Sequence, residues 1–280
     1  MHRLSCEESP IVVIDVGCRW GFADKFIQND NVSNILIYGF DPDKEECKRL
    51  TELYDNDNIK LVPIGLDEKS GNKILYLTKE PGCSSLYAPN KNLTSNYPAL
   101  SCAKEVAQVE VSLTSLDEWA KSISLKYIDY MKIDTQGAEL SILKGGKMIL
   151  PTMRYLEVEV EFNPIYDGQP TFSDIDIYLR KFGFVLWKFS NFVHYSQGDE
   201  SEIVMNNDSI NFDHHRLEHE VRGGQIFWAD AFYVKKEIVD TQYNKGSLDA
   251  LKRDAMIAGM LGFHDLEGRL NKKYMSIKAM

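Results

Sequence analysis

The sequence contains no C-x-x-C pair, no run of about 18 uncharged apolar residues and no cluster of basic side chains, and each absence removes a class of protein. Its five cysteines (Cys6, Cys18, Cys47, Cys83 and Cys102) are odd in number and scattered. That argues against a disulfide framework or a thiolate zinc site and fits reduced thiols. The nine-residue stretch from Ala255 to Phe263 falls well short of a bilayer span. The first ten residues hold no apolar stretch ahead of Glu7 and Glu8, so no secretory signal is expected and a cytoplasmic location is. Basic pairs such as Lys235-Lys236 and Lys272-Lys273 are short, and 42 acidic residues against 32 Lys and Arg give a net charge of −10. A nucleic-acid partner, which needs clustered cations to release counterions, is not expected. Also missing is G-x-G-x-x-G, the loop that lets a pyrophosphate approach a backbone.

What is present is ordinary globular composition, with 44% hydrophobic and 26% charged residues in a chain of 280. That length suits two domains or one large α/β unit, and a chain this long buries roughly three quarters of its unfolded surface. The continuous apolar run Ile11 to Val16, closed by Gly17, predicts a strand buried on both faces. A helix should follow around Ala23 to Gln28. A second strand, Ile35 to Phe40, ends at Asp41 and Pro42, with Pro42 suited to the first turn of a helix over Lys44 to Tyr54. A third strand covers Lys60 to Ile64. The alternation is that of a doubly wound α/β domain.

The rhythm breaks between Gly71 and Ala107, where Lys73 to Thr78 reads as a short strand and Pro81 to Pro98 as a long loop of the functional kind. Alternation returns at Val109, Val111 and Leu113, followed by a helix over Leu116 to Ser122. A fourth core strand, Tyr127 to Ile133, ends in Asp134-Thr135-Gln136-Gly137, and a helix over Glu139 to Lys144 closes on Gly145-Gly146, a pattern of helix C-caps. Tyr155 to Phe162 is a fifth strand with Glu157, Glu159 and Glu161 on one face. Phe172 to Phe182 is an amphipathic helix opened by Ser173-Asp174 and ended by Gly183. Phe184 to Phe189 and Ile226 to Val234 form a final antiparallel pair around a polar insertion, Ser190 to Gly224. The segment Ser247 to Lys278 is helical, its stripe of Leu248, Leu251, Met256, Met260 and Leu261 either covering the core or forming a homodimer face. The expected division is residues 1–240, with an insertion at about 190–224, and a helical extension over 241–280.

Asp15, Asp41 and Asp67 stand at or just past strand ends, the side on which open α/β sheets bind ligands. Asp41 follows Gly21 by 20 residues, close to the spacing at which an acid takes ribose hydroxyls. The first loop, Asp15 to Gly21, places a carboxylate and the bulk of Trp20 where a phosphate would sit. It suits a ligand with ribose and a cationic head, as in S-adenosylmethionine (SAM); alternatively, Asp15 and Gly17 merely terminate a strand.

These residues resemble the FkbM-type SAM-dependent methyltransferases. The resemblance runs from Val12 to Val234. It is carried by Asp15 to Gly21, Gly39-Phe40-Asp41-Pro42, Val62 to Asp67, Leu116-Asp117, Ile128 to Glu139, Leu143-Lys144-Gly145, Tyr166 to Pro170 and Gly183-Phe184. It implies the class I methyltransferase fold, a Rossmann-like seven-stranded, mostly parallel sheet with an antiparallel last strand. It further implies that Asp15, Gly17 and Gly21 shape a methionine pocket, Asp41 holds the ribose, and Asp67 lies near the adenine amino group. Pro42, Gly65, Leu66, Ser85 and Asp134 complete the candidate cofactor set. Cys18 and Arg19 depart from the small residues common in the family, and Arg19 should turn away from the sulfonium or meet the cofactor carboxylate.

The reaction expected is O-methylation of a sugar, glycan or other small polyhydroxylated acceptor. A positioned base must take the hydroxyl proton. Asp134 leads the candidates, with helix N-capping as its other reading; Glu139, Glu159 and His194 follow. The acidic face of the fifth strand is either solvated or lines a pocket. His214, His215 and His219 would put two imidazoles at i, i+4 on a helix, but no closed ligand set accompanies them and no metal is expected. Cys18 and Cys83 lack a histidine partner. Two rivals remain: an NAD- or nucleotide-dependent Rossmann-like enzyme, and a non-catalytic SAM-binding module.

Overall fold

The apolar runs become the strands of one sheet. The structure, a computed structural model, describes residues 9–27, 34–197, 208–212, 215–219 and 224–279. Its strands are β1 (Ile11–Val16), β2 (Ile35–Phe40), β3 (Ile59–Val62), β4 (Gly65–Asp67), β5 (Gly71–Thr78) and β6 (Glu105–Ser115). They continue with β7 (Tyr130–Ile133), β8 (Tyr155–Glu161), β9 (Phe184–Tyr195), β10 (Asp208–Phe212), β11 (His215–His219) and β12 (Gln225–Lys235). The helices are α1 (Asp24–Ile27), α2 (Lys44–Tyr54), α3 (Lys91–Thr94), α4 (Leu116–Ser122), α5 (Glu139–Gly145), α6 (Phe172–Arg180), α7 (Lys236–Val239), α8 (Leu248–Met260) and α9 (His264–Lys278).

Seven strands form the main sheet in the order β3-β2-β1-β7-β8-β12-β9. All pairings are parallel except those of β12, which runs antiparallel to both neighbours. This is the class I methyltransferase arrangement. The long stretch after β3 builds a separate three-stranded sheet, β4-β6-β5, and β10 and β11 pair as a hairpin.

The sheet buries its two faces differently. On one, Ile14, Val16, Met131, Ile133, Leu156, Val158 and Val160 pack on α4, α5 and α6 through Leu116, Leu143 and Ile175. On the other, the lower half is apolar: Ile11, Val13, Tyr130 and Tyr155 meet Leu251, Ile257, Phe263, Leu266 and Leu270 of α8 and α9. The C-terminal apolar stripe therefore covers the core. The upper half of the same face is charged. Asp15 pairs with Lys132, Lys132 with Glu157, and Glu159 with Asp230 in strand register. The acidic face of β8 is thus fully buried, and the solvated alternative does not hold.

Local details differ from the sequence reading, for physical reasons. Asp43, not Pro42, initiates α2, its Oδ1 accepting from Glu45 N and Glu46 N, so Pro42 lies before the cap. Gly146 is the C-cap of α5 as expected, though at φ −105° and not left-handed, and Gly145 has a second role: a Cβ there would lie 2.2 Å from Asp67 O, so it serves close helix–strand packing. Helix α6 opens with Thr171 and Asp174 in a capping box rather than at Ser173. Strand β9 continues to Tyr195, so residues 190–195 are strand and not insertion.

At the lower end of the sheet, two adjacent residues of α8 clamp two strands. Arg253 Nε donates to Asp129 Oδ1 at 2.7 Å, and a second guanidinium nitrogen reaches Asp129 Oδ2, which also accepts Val12 N. Asp254 takes Arg154 Nε at 2.9 Å and Nη2 at 2.5 Å, with Tyr243 Oη at 2.6 Å. Removing one member leaves a buried charge unpaired. Arg253→Ala should therefore lose about 3–5 kcal/mol in urea unfolding. Glu237→Ala, which removes the exposed partner of Arg154, should change stability by about 1 kcal/mol or less.

Candidate active site

The site forms where the carboxyl ends of β1, β2 and β7 meet. Gly17 stands at φ +85°, and a Cβ there would lie 1.8 Å from Asp134 O. Only glycine allows the first loop to cross so close to the end of β7. Two backbone bonds hold the crossing, Gly17 N to Phe40 O at 2.9 Å and Asp134 N to Val16 O at 3.0 Å. Beside it opens a cleft lined by Gly17, Phe40, Asp41, Leu66, Leu113 and Asp134 among others.

Of the candidate cofactor residues, Gly17, Asp41, Pro42, Gly65, Leu66 and Asp134 line this cleft. Asp15 and Gly21 are buried outside the lining, and within the first loop Gly21 N donates to Cys18 O at 2.9 Å. Asp67 lies beyond Leu113 in a neighbouring groove and is paired with Lys73. Ser85 is buried behind the wall, where its Oγ donates to Gln136 O at 2.6 Å. The wall itself includes Pro81, Gly82, Ser84 and Leu86 from the expected functional loop.

Asp41 accepts Asp43 N on Oδ1 at 2.8 Å. Burial is the main reason its carboxyl is pushed up to about 6, against the pull of that bond and of Arg19. Arg19 pairs with Asp43 Oδ2 at 3.1 Å and lies over the Trp20 ring. It is therefore drawn toward the carboxylates at the head of α2.

The turn after β7 carries the rest of the polar machinery. Glu139 Oε1 accepts Thr135 N at 2.8 Å, Thr135 Oγ1 at 2.9 Å and Gly137 N at 3.1 Å, so this carboxylate is committed to holding the turn. Asp134 does not cap α5, whose N-cap is Ala138. Its Oδ1 accepts Gln136 Nε2 at 3.2 Å, and Oδ2 lies 3.5 Å from Lys132 Nζ. The same Gln136 nitrogen donates to Glu159 Oε2 at 2.7 Å. Burial, then the carboxylates of Asp134, Glu161 and Glu139, push Glu159 well above the ordinary range. Glu161 is raised in the same way, and Asp230 rises to about 7, by burial first and Glu157 second. Burial would lift Glu157 too, but Lys25 at 3.1 Å, Lys132 and the Tyr130 hydroxyl outweigh it and hold it low.

His194 sits on β9 opposite Ile226 and is not part of the cleft lining. Cys18 is wholly buried, and burial pushes its thiol up, which removes it as a nucleophile. His214 lies outside the described residues, as do the side chains of His215 and His219. The backbone of 215–219 is a strand, so helical i, i+4 spacing does not arise. Among the described residues no group of His, Cys, Asp and Glu is placed to hold a metal ion, and no helix is long and apolar enough to cross a membrane. Gln136 and Tyr166 were not singled out from sequence. Both lie within the motif blocks, but nothing local reveals that Tyr166 Oη meets Gln136 Oε1.

Residues 15–186 match the family described as the methyltransferase FkbM domain. The chain is 25% identical over 221 residues to 2-O-methyltransferase NoeI of Sinorhizobium fredii, covering 75% of this chain and 86% of that protein. It is 27% identical over 143 residues to Methyltransferase 1 of Beauveria bassiana, covering 48% of this chain and 57% of that protein. Magnesium protoporphyrin IX methyltransferase from Synechocystis, solved with bound SAM, superposes at a TM-score of 0.38 with 12% identity, over 81% of this chain and 71% of that one.

The buried acids give the fold an unusual pH dependence. Asp230 binds its proton more tightly folded than unfolded, about 7 against 3.8. Its contribution is therefore present below about 4 and is lost as pH rises through about 7. Urea midpoints of the ligand-free protein should fall between pH 5.5 and 8, and Asp230→Asn should flatten that fall. Every tenfold gain in proton affinity on folding is worth about 1.4 kcal/mol.

Proposed function

The chain belongs to the FkbM methyltransferase family and is a SAM-dependent methyltransferase, and from that premise we propose that it methylates oxygen, on a hydroxyl of a sugar, glycan or other small polyhydroxylated acceptor. Support for oxygen comes from its likeness to a 2-O-methyltransferase over most of both chains. The observation that carries the reading is the cleft, which joins a buried carboxylate at the end of β2 to a second at the end of β7, across a crossing that only glycine permits.

The residues present fit the cofactor. Asp41 would accept the ribose hydroxyls. Phe40, Leu66, Leu75 and Leu113 offer apolar walls for the base, above Pro42 and Gly65. Gly17 leaves room for the methionine portion beside Asp134, with Asp15 and Gly21 shaping the loop from beneath, and Asp67 and Ser85 supporting the walls. When bound, SAM supplies an electrophilic methyl group whose bond pair leaves on sulfur. Asp134 is the cleft-wall carboxylate at the end of β7 and would accept the proton of the acceptor hydroxyl. Glu159 and His194 are set back from the cleft and take secondary roles in this reading. Burial and water exclusion around Asp134 would strengthen its interaction with the cationic cofactor. In the same reading residues 1–240 are the methyltransferase unit, and 241–280 an extension that completes its core.

Calorimetric titration with SAM, S-adenosylhomocysteine (SAH) and NAD tests the cofactor. Both sulfur nucleosides should bind and NAD should not. Asp41→Ala should weaken both by tenfold or more, about 1.4 kcal/mol. Because Asp41 must be ionised to accept two hydroxyls, affinity should fall as pH drops through about 6. Methyl transfer from labelled SAM to polyhydroxylated acceptors tests the rest: an ether product survives alkali, and an alkali-labile methyl would overturn the hydroxyl assignment.

A further inference from the structure

Gln136 occupies a left-handed backbone conformation, φ +57°, in the turn after β7. For a residue with a side chain such a conformation costs about 1 kcal/mol or more and persists where surroundings over-determine it. The surroundings here are four polar contacts to other parts of the chain. Ser85 Oγ donates to its carbonyl at 2.6 Å. Its amide nitrogen donates to Asp134 Oδ1 at 3.2 Å and to Glu159 Oε2 at 2.7 Å. Tyr166 Oη lies 3.1 Å from its amide oxygen and 2.6 Å from Cys83 O, dividing one proton between them. Both N–H groups of the amide are thereby used, one on each carboxylate.

We propose that Gln136 is a positioning residue of the methyl-transfer site, tying the Asp134 carboxylate on the cleft wall to Glu159 and Tyr166 behind it and so setting its place. The proposal rests on the reading that Asp134 faces the reacting methyl group. An uncharged double donor is the side chain this position requires. Glu161 on β8, Glu139 on α5 and Asp230 on β12 stand near the Glu159 carboxylate, Lys132 on β7 lies beside Asp134, and Lys25 on α1 pairs with Glu157. Cys83 and Tyr166 close the group from the loops. A hydrogen bond donated to a carboxylate favours the ionised form. Gln136 supplies that bond without adding a charge. A carboxylate here would add repulsion, and an apolar side chain would remove the donor that the two acids share.

The ratio of SAH to SAM dissociation constants, measured by calorimetry, reads the placement of this carboxylate. Asp41 meets the ribose common to both ligands and cancels. The two differ by the positive charge on sulfur, which the Asp134 carboxylate favours only where it is held on the cleft wall. Gln136→Met, similar in length and uncharged, should lower that ratio by about fivefold. Tyr166→Phe, which frees the amide oxygen, should lower it by less and serves where Gln136→Met does not fold. An unchanged ratio accompanied only by lower melting temperatures would reduce Gln136 to a packing role and overturn the proposal. Failure of the native protein to bind either ligand would instead overturn the cofactor reading.

Discussion

The contact between the first loop and the end of β7 is the constraint on which the site depends. Backbone at Gly17 passes so near Asp134 O that no side chain fits between them. The crossing brings the ends of β1, β2 and β7 into one cleft and puts Asp41 and Asp134 on its walls. From Asp134 the polar network then runs through Gln136 to Glu159 and Tyr166. A side chain at position 17 would push these strand ends apart and separate Asp41 from Asp134.

Burying so many acids beside one another is costly, and the fold offsets the cost in several ways. Glu157 is held by Lys25 and a tyrosine hydroxyl, Glu139 by three donors from its own turn, and Asp230 by Asn191 Nδ2 at 2.5 Å. Glu159 and Asp230 are left with raised affinity for protons. A site of this kind gains from a cationic ligand, because positive charge in a carboxylate-rich, water-poor pocket interacts more strongly than in water.

Stability and chemistry occupy opposite ends of the same sheet face. The lower half is apolar and is clamped by Arg253 and Asp254 of α8 to Asp129 and Arg154 at the starts of β7 and β8. The upper half is charged and leads to the cleft. That division agrees with the general placement of ligand sites outside the carboxyl ends of parallel strands.

Much of this was legible in the chain itself. Continuous apolar runs ending at Asp15 and Asp41 fixed which segments become buried parallel strands, because only strands covered on both faces tolerate them. The alternating acids of β8 announced one face, though burial was a matter of what covers it. The motif from Ile128 to Glu139 pointed to the family, and Asp134 within it to the site. Strand order, the role of Gly145 in close packing and the commitment of Glu139 to its own turn were decided only by tertiary structure. So was the tie from Gln136 to Ser85, Glu159 and Tyr166, partners 51, 23 and 30 residues away. Periodicity and capping record what a residue's neighbours along the chain require. Hydrogen bonds between distant segments, and the space left for a side chain, exist only once the strands lie side by side.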